Sequence, residues 1–341
     1  MFLSRRDFAI TAAVSALTAC RRGAPPVTSY AFVANSLGRS VSVIDLAVFS
    51  VVRRIALPAD PVEVLAWPGR ARILALTPAD GLLTEISASQ HTITRTLALG
   101  KQPMQMRLAE DRNTLAVFSP SHLITVNLHD WKVQSRIPLP GRPTDFDVPV
   151  ESQLAAVSFA GERSVMLVSL NEGKVMRTIR TPHPPGTIRF LKNGMQILIG
   201  QPEERLLSIH ETSSGEPVVH LPLAVRPDRF CFSGDLGQLF INGAGSDSLA
   251  IVYPFQTQVA ATLLAGHEPA AMAASTNPAY LFVANSTSNS VTVIDVPTQR
   301  IIGAVPVGQQ PEHIAVTPDN QFALVLNKVS GDIAVLTTQA F

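Results

Sequence analysis

The chain has 341 residues, 46% of them hydrophobic, and a formal net charge of +1. That balance argues against a charge-driven nucleic-acid or anionic-membrane surface. Two cysteines, Cys20 and Cys231, offer neither a disulfide framework nor a cysteine zinc site. Past the N-terminus no apolar run is long enough to cross a bilayer as a helix.

Residues 1–19 read as a signal peptide. Arg5 and Arg6 give a basic start, and the apolar stretch Phe8–Ala19 is too short for a transmembrane helix. The arginine pair resembles a twin-arginine export signal. Leu17-Thr18-Ala19-Cys20 resembles a bacterial lipobox, which implies cleavage before Cys20 and lipidation of its thiol. Residues 20–29, with the run RRGAPPVTS, then form a lipid-anchored tether. The expected location is the periplasmic or cell-surface side of a bacterium, held to a membrane at Cys20. Removing residues 1–19 leaves 25 basic against 25 acidic side chains.

From residue 30 the chain repeats itself. YAFVANSLGRSVSVID at Tyr30–Asp45 is nearly copied as YLFVANSTSNSVTVID at Tyr280–Asp295. Each copy is two apolar runs around a polar turn, a β-hairpin signature. Weaker versions begin near Arg72, Thr114, Leu154, Gln196, Gln238 and Phe322, at steps of 42 residues with one step of 40. A third run follows each hairpin, as in RIIGAVPVG, alternating polar and apolar residues like a strand with one wet face. A turn with Gly then Pro comes next, and a fourth run such as PEHIAVTPD closes the unit. Four strands in about 42 residues leave no room for helices. The period predicts propeller blades, and residues 30–341 a single all-β propeller domain.

FVANS…SVSVID, FVANS…SVTVID and PVGQQPEHIAVTPDNQ resemble the YVTN family of β-propellers. The likeness is sharp in the first and last units and weak between residues 72 and 270. It implies the fold and little about chemistry, because propellers carry unrelated functions. With the strands of a unit lettered a to d from the post-proline run, the sequence holds seven a, eight b, eight c and seven d. Seven blades would strand a well-formed hairpin, whose exposed edges are costly. Eight blades leave one blade short of a and another short of d. The count leans to eight, with seven as the alternative.

In a propeller, strand a lines the central channel. Alternate positions in these strands, Val64, Met106, Phe146, Ile188, Phe230, Met272 and Ile314, are apolar and belong between blades. The other face carries Glu63, Gln105, Asp145, Thr187, Arg229, Ala271 and His313, then Leu65, Arg107, Asp147, Arg189, Cys231, Ala273 and Ala315. From these the candidate channel site is Glu63, Arg107, Asp145, Asp147, Arg189, Arg229 and His313. Either the charges pair with one another along a wet channel, or the arginines and His313 hold an anion or polar ligand.

His183, His267 and Glu268 fall in d-to-a turns, on the face where strands a begin. They form either a solvated rim or, with His313, a metal or catalytic cluster. No metal-binding or haem-attachment motif appears, and no cofactor is indicated. Asp45 and Asp295 are expected to cap the c-to-d turn. Asn35, Asn285 and Asn327 are read as tolerant of turn geometry, and Cys231 as a buried, inert side chain.

Two functions from different classes remain. One is a non-catalytic envelope module that binds a protein, glycan or small polar ligand. The other is an enzyme or cofactor handler, since some similar propellers are lactonases, quinoprotein dehydrogenase chains or haem-d-type cofactor proteins. The absence of any catalytic signature favours the first.

Overall fold

The computed structural model describes residues 12–15, 30–243 and 245–341. The expected export pair Arg5 and Arg6, the lipidation residue Cys20 and the tether lie outside them. The described chain holds β-strands and three short 3-10 turns, and no α-helix among the described residues.

Eight antiparallel sheets follow in chain order, each a simple meander. The first is β1 (Ala12–Ser15), β2 (Tyr30–Asn35), β3 (Ser40–Asp45) and β4 (Ser50–Ala56). The second is β5 (Glu63–Trp67), β6 (Arg72–Thr77), β7 (Leu82–Ser87) and β8 (Thr92–Ala98). The third is β9 (Gln105–Leu108), β10 (Thr114–Phe118), β11 (His122–Asn127) and β12 (Lys132–Pro138). The fourth is β13 (Asp145–Asp147), β14 (Leu154–Phe159), β15 (Ser164–Ser169) and β16 (Lys174–Arg180). The fifth is β17 (Ile188–Phe190), β18 (Gln196–Gln201), β19 (Leu206–Glu211) and β20 (Pro217–Pro222). The sixth is β21 (Pro227–Phe232), β22 (Leu239–Gly243), β23 (Ser248–Tyr253) and β24 (Gln258–Leu264). The seventh is β25 (Pro269–Ala274), β26 (Tyr280–Asn285), β27 (Ser290–Asp295) and β28 (Arg300–Pro306). The last is β29 (Pro311–Val316), β30 (Phe322–Asn327) and β31 (Asp332–Thr337). This is an eight-bladed β-propeller.

The strand count is resolved at both ends of the chain. The first blade gains a fourth strand from Ala12–Ser15, inside the stretch read above as the leader, with Ala12 opposite Val33 and Ser15 opposite Tyr30. The last blade stays one strand short.

The middle strands of each blade are buried almost throughout, as the apolar hairpin runs require, while the fourth strands alternate with water. Every pairing of third and fourth strand shifts register once, the mark of a β-bulge. The turn before each fourth strand places one residue at positive φ: Phe49, His91, Trp131, Gly173, Gly215, Thr257 and Gln299. Asp45 accepts the Ala47 N–H and Asp295 the Thr298 N–H, both at 2.8 Å, so the expected caps of this turn are present.

The asparagines act differently from the expectation. Asn35, Asn285 and Asn327 end extended second strands and are buried. Their Nδ2 groups donate across the hairpin to Ser42, Thr292 and Asp332, each at 2.8–2.9 Å. They clamp the hairpin through side chains, and turn tolerance is not their role.

The chain divides into two compact units. One takes Met1–Pro103 with Ala270–Phe341, the other Met104–Pro269. In the first, Phe282, Val293 and Val325 pack together, and Phe341 lies edge-on to Phe282 at 6.2 Å. In the second, Phe118, Phe146 and Phe159 centre a buried cluster.

Candidate functional site

Of the seven candidate channel residues, Glu63 on β5 and His313 on β29 belong to the first unit. Arg107, Asp145, Asp147, Arg189 and Arg229 belong to the second. The second unit brings Asp145, Asp147 and Arg189 together, with Arg107 acting on Asp147 by charge.

The reason lies in strand pairing. Strand β17 pairs with β18 on one edge only, and its N–H groups at Ile188 and Phe190 point away from that partner. Two carboxylates two residues apart on β13 match that spacing. Asp145 Oδ2 accepts the Ile188 N–H at 3.0 Å, and Asp147 Oδ2 accepts the Phe190 N–H at 2.8 Å. Side chains of one blade thus finish the hydrogen bonding of the next, where buried backbone donors would otherwise be unmet. The same Asp145 oxygen takes Arg189 Nη1 at 2.8 Å.

Burial pushes the Asp147 carboxyl above the usual carboxylate range, and the like charge of Asp145 adds to this. Arg189, the Phe190 N–H and Arg107 offset it only in part. For Arg189 burial opposes the charge, yet Asp145 and Asp147 outweigh it and hold the guanidinium ionised.

Arg229 does not join this group. Its side chain is 58% exposed and leans towards Asp228 at 3.7 Å. Its backbone N–H is taken by Asn242, and a bulge beside it turns the strand. Cys231 sits half-exposed on β21 rather than buried, because it shares Arg229's face of the strand. The alternate apolar set is buried at Val64, Met106, Phe146, Ile188 and Phe230, and half-buried at Met272 and Ile314.

The rim residues have separate carboxylate partners. His183 meets Glu204 at 3.2 Å and His267 meets Asp247 at 2.8 Å. The Glu268 N–H donates to the same Asp247. Among the described residues no three His, Cys, Asp or Glu side chains approach closely enough to hold a metal ion.

Beside Asp147 and Arg189 lies a cavity of about 140 Å³, at the turns that follow β13, β17 and β21. Its walls include Pro149, Leu191, Phe232 and Phe255, and Lys192 stands among its lining residues, paired to Glu151 at 2.7 Å. Phe255, 62% exposed, comes from the 3-10 turn Pro254–Gln256 before β24. The sequence reading followed strands a alone and missed this wall. The available signal was a phenylalanine, Phe255, at a turn position where the other blades place Ala47, Ser89, His129, Asn171, Ser213 and Pro297.

No known family profile matches the chain. No curated protein matches it either. Solved structures do resemble it. Dihydro-haem d1 dehydrogenase NirN in complex with DHE matches with a TM-score of 0.75 at 15% identity, over 89% of this chain and 69% of that one. Hydrazine synthase of Kuenenia stuttgartiensis matches with a TM-score of 0.62 at 14% identity, over 92% and 93%. A chain of the mitotic checkpoint complex matches with a TM-score of 0.64 at 10% identity, over 81% and 91%. At such identities the likeness shows the propeller fold alone.

Proposed function

We propose that this chain is a non-catalytic β-propeller binding module of the bacterial cell envelope, tethered through a lipid on Cys20, that takes a small polar ligand. The observation that carries the binding half is the cavity at Asp147 and Arg189. A buried carboxylate, Asp147, and a partly buried guanidinium, Arg189, have hydrogen-bonding capacity left over there beside an apolar wall, the usual make-up of a small-molecule site. The tether rests on the Leu17–Cys20 match and on Arg5 and Arg6. The YVTN resemblance fits a repeat protein of this kind and names no ligand.

The experiment is ligand-observed NMR of the purified protein against a mixture of small ring compounds, with Phe255→Ala as the control for the site. Signal transfer to some member of the mixture, lost in Phe255→Ala, is the expected result. No transfer to any member overturns the binding reading. A visible absorption band in protein purified from its own envelope would favour the rival reading, a cofactor-handling propeller. For the tether, Cys20→Ser should leave the membrane fraction; a variant that pellets like wild type refutes it.

A further inference from the structure

The charges around the cavity cancel. Asp145 and Asp147 stand against Arg189 and Arg107, and Lys192 against Glu151. No surplus remains to repay the desolvation of an ionic ligand. The hydrogen bonds, by contrast, are incomplete. Arg189 spends only Nη1, on Asp145 and on the Ile188 carbonyl. Its Nε and Nη2 donate to no described residue. Asp147 accepts one hydrogen bond, from Phe190, among the described residues, and the residue is 9% exposed and lines the cavity. The lining therefore offers both a donor, Arg189, and an acceptor, Asp147. A cavity near 150 Å³ holds one benzene-sized body, close to the 140 Å³ of this partly open cavity.

We propose that the cavity takes a neutral ligand about the size of one ring, carrying a primary carboxamide or lactam edge. Its carbonyl accepts from the Arg189 guanidinium and its N–H donates to the Asp147 carboxylate. The apolar body packs on Leu191, Phe232 and Phe255. This rests on the binding reading above and gives it a ligand class.

The test uses benzamide, benzoate and benzylamine as probes, by calorimetry or NMR titration at mildly alkaline pH. Wild type should bind benzamide at least tenfold more tightly than either ion. Asp147→Asn keeps an acceptor for the Phe190 N–H and turns an amide donor towards the ligand. It should weaken benzamide by about tenfold, the worth of one hydrogen bond to a charged group, and strengthen benzoate. Phe255→Ala, at an exposed turn, should weaken benzamide without a change in melting temperature. Benzoate or benzylamine binding more tightly than benzamide, with Phe255→Ala weakening it, overturns the amide class and leaves the binding site. No binding of any probe overturns both. If Asp147→Asn does not fold, the probe ranking in wild type and the Phe255→Ala loss decide the matter.

Discussion

Replacing Asp145 by Ala tests whether carboxylates of one blade finish the hydrogen bonding of the next. The Ile188 N–H, now accepted at 3.0 Å by Asp145 and fully buried, would lose its acceptor. An unmet buried donor costs about 1–3 kcal/mol. Arg189 would lose the ion pair at 2.8 Å. Breaking a fully buried pair costs about 3–5 kcal/mol. The side chains here are 25% and 14% exposed, and Asp147 still attracts the guanidinium, so roughly 2 kcal/mol is the fairer share. The expected loss for Asp145→Ala is about 3–5 kcal/mol. Asp145→Asn retains an acceptor for Ile188 and gives up only the charge, for a loss of about 1–2 kcal/mol. Urea denaturation of wild type and both variants, followed by far-ultraviolet circular dichroism, reads these differences directly. An Asp145→Ala protein within 1 kcal/mol of wild type, or one no worse than Asp145→Asn, would falsify the clamp.

Asp147 and Glu85 should give opposite pH dependences. Burial raises the folded pKa of Asp147, so its stabilising contribution is present in full below the ordinary carboxylate value and is lost as pH rises through the folded one. Asp147→Asn should therefore gain on wild type as pH rises from acid to neutral; a flat difference refutes this. Glu85 is buried too, but hydrogen bonds from Arg95 and Thr94 and the charges of Arg95 and Arg72 overcome the burial and lower its pKa. The deficit of Glu85→Gln should be full at neutral pH and fade as pH falls through the lowered value, and a deficit that persists in acid counts against it. Thr257 holds a β-branched side chain at φ 51°, a conformation costing an L-residue about 1–2 kcal/mol. Thr257→Gly should raise the urea midpoint by about 0.5–1 kcal/mol of stability after glycine's entropic penalty; a lower midpoint refutes the strain. In the unprocessed chain, removing residues 1–19 deletes β1 from the first blade, at about 1 kcal/mol for each net backbone hydrogen bond lost. The shortened chain should melt lower, and equal melting temperatures would show that β1 contributes nothing.

The spacing of the hairpins from Tyr30 to Phe322 determined the blades by itself. Repetition at 42 residues is a one-dimensional property, and strand alternation needs only the chain's own period of two. That is why Val64, Met106, Phe146, Ile188 and Phe230 are buried where the alternation put them, and why Asp45 and Asp295 were recognisable as turn caps. The same rule put Asp145, Asp147 and Arg189 among the candidates, and in the structure Asp145 meets Arg189 while both guanidinium groups near Asp147 act on it by charge. Which charges then meet was beyond it, because partners 44 residues apart, such as Asp145 and Arg189, depend on how one blade's edge faces the next. The rule could not see the bulge that sends Arg229 out to Asp228, nor the separate carboxylates waiting for His183 and His267. Only the tertiary structure set Phe255, from a turn between strands, on the same cavity as Asp147 from another blade. Cavities arise where distant segments fail to fill space together, and no local pattern records that. The first blade makes the same point: in the uncleaved chain Ala12–Ser15, inside the stretch that reads as a leader, pairs with the edge of β2, which no local pattern announces.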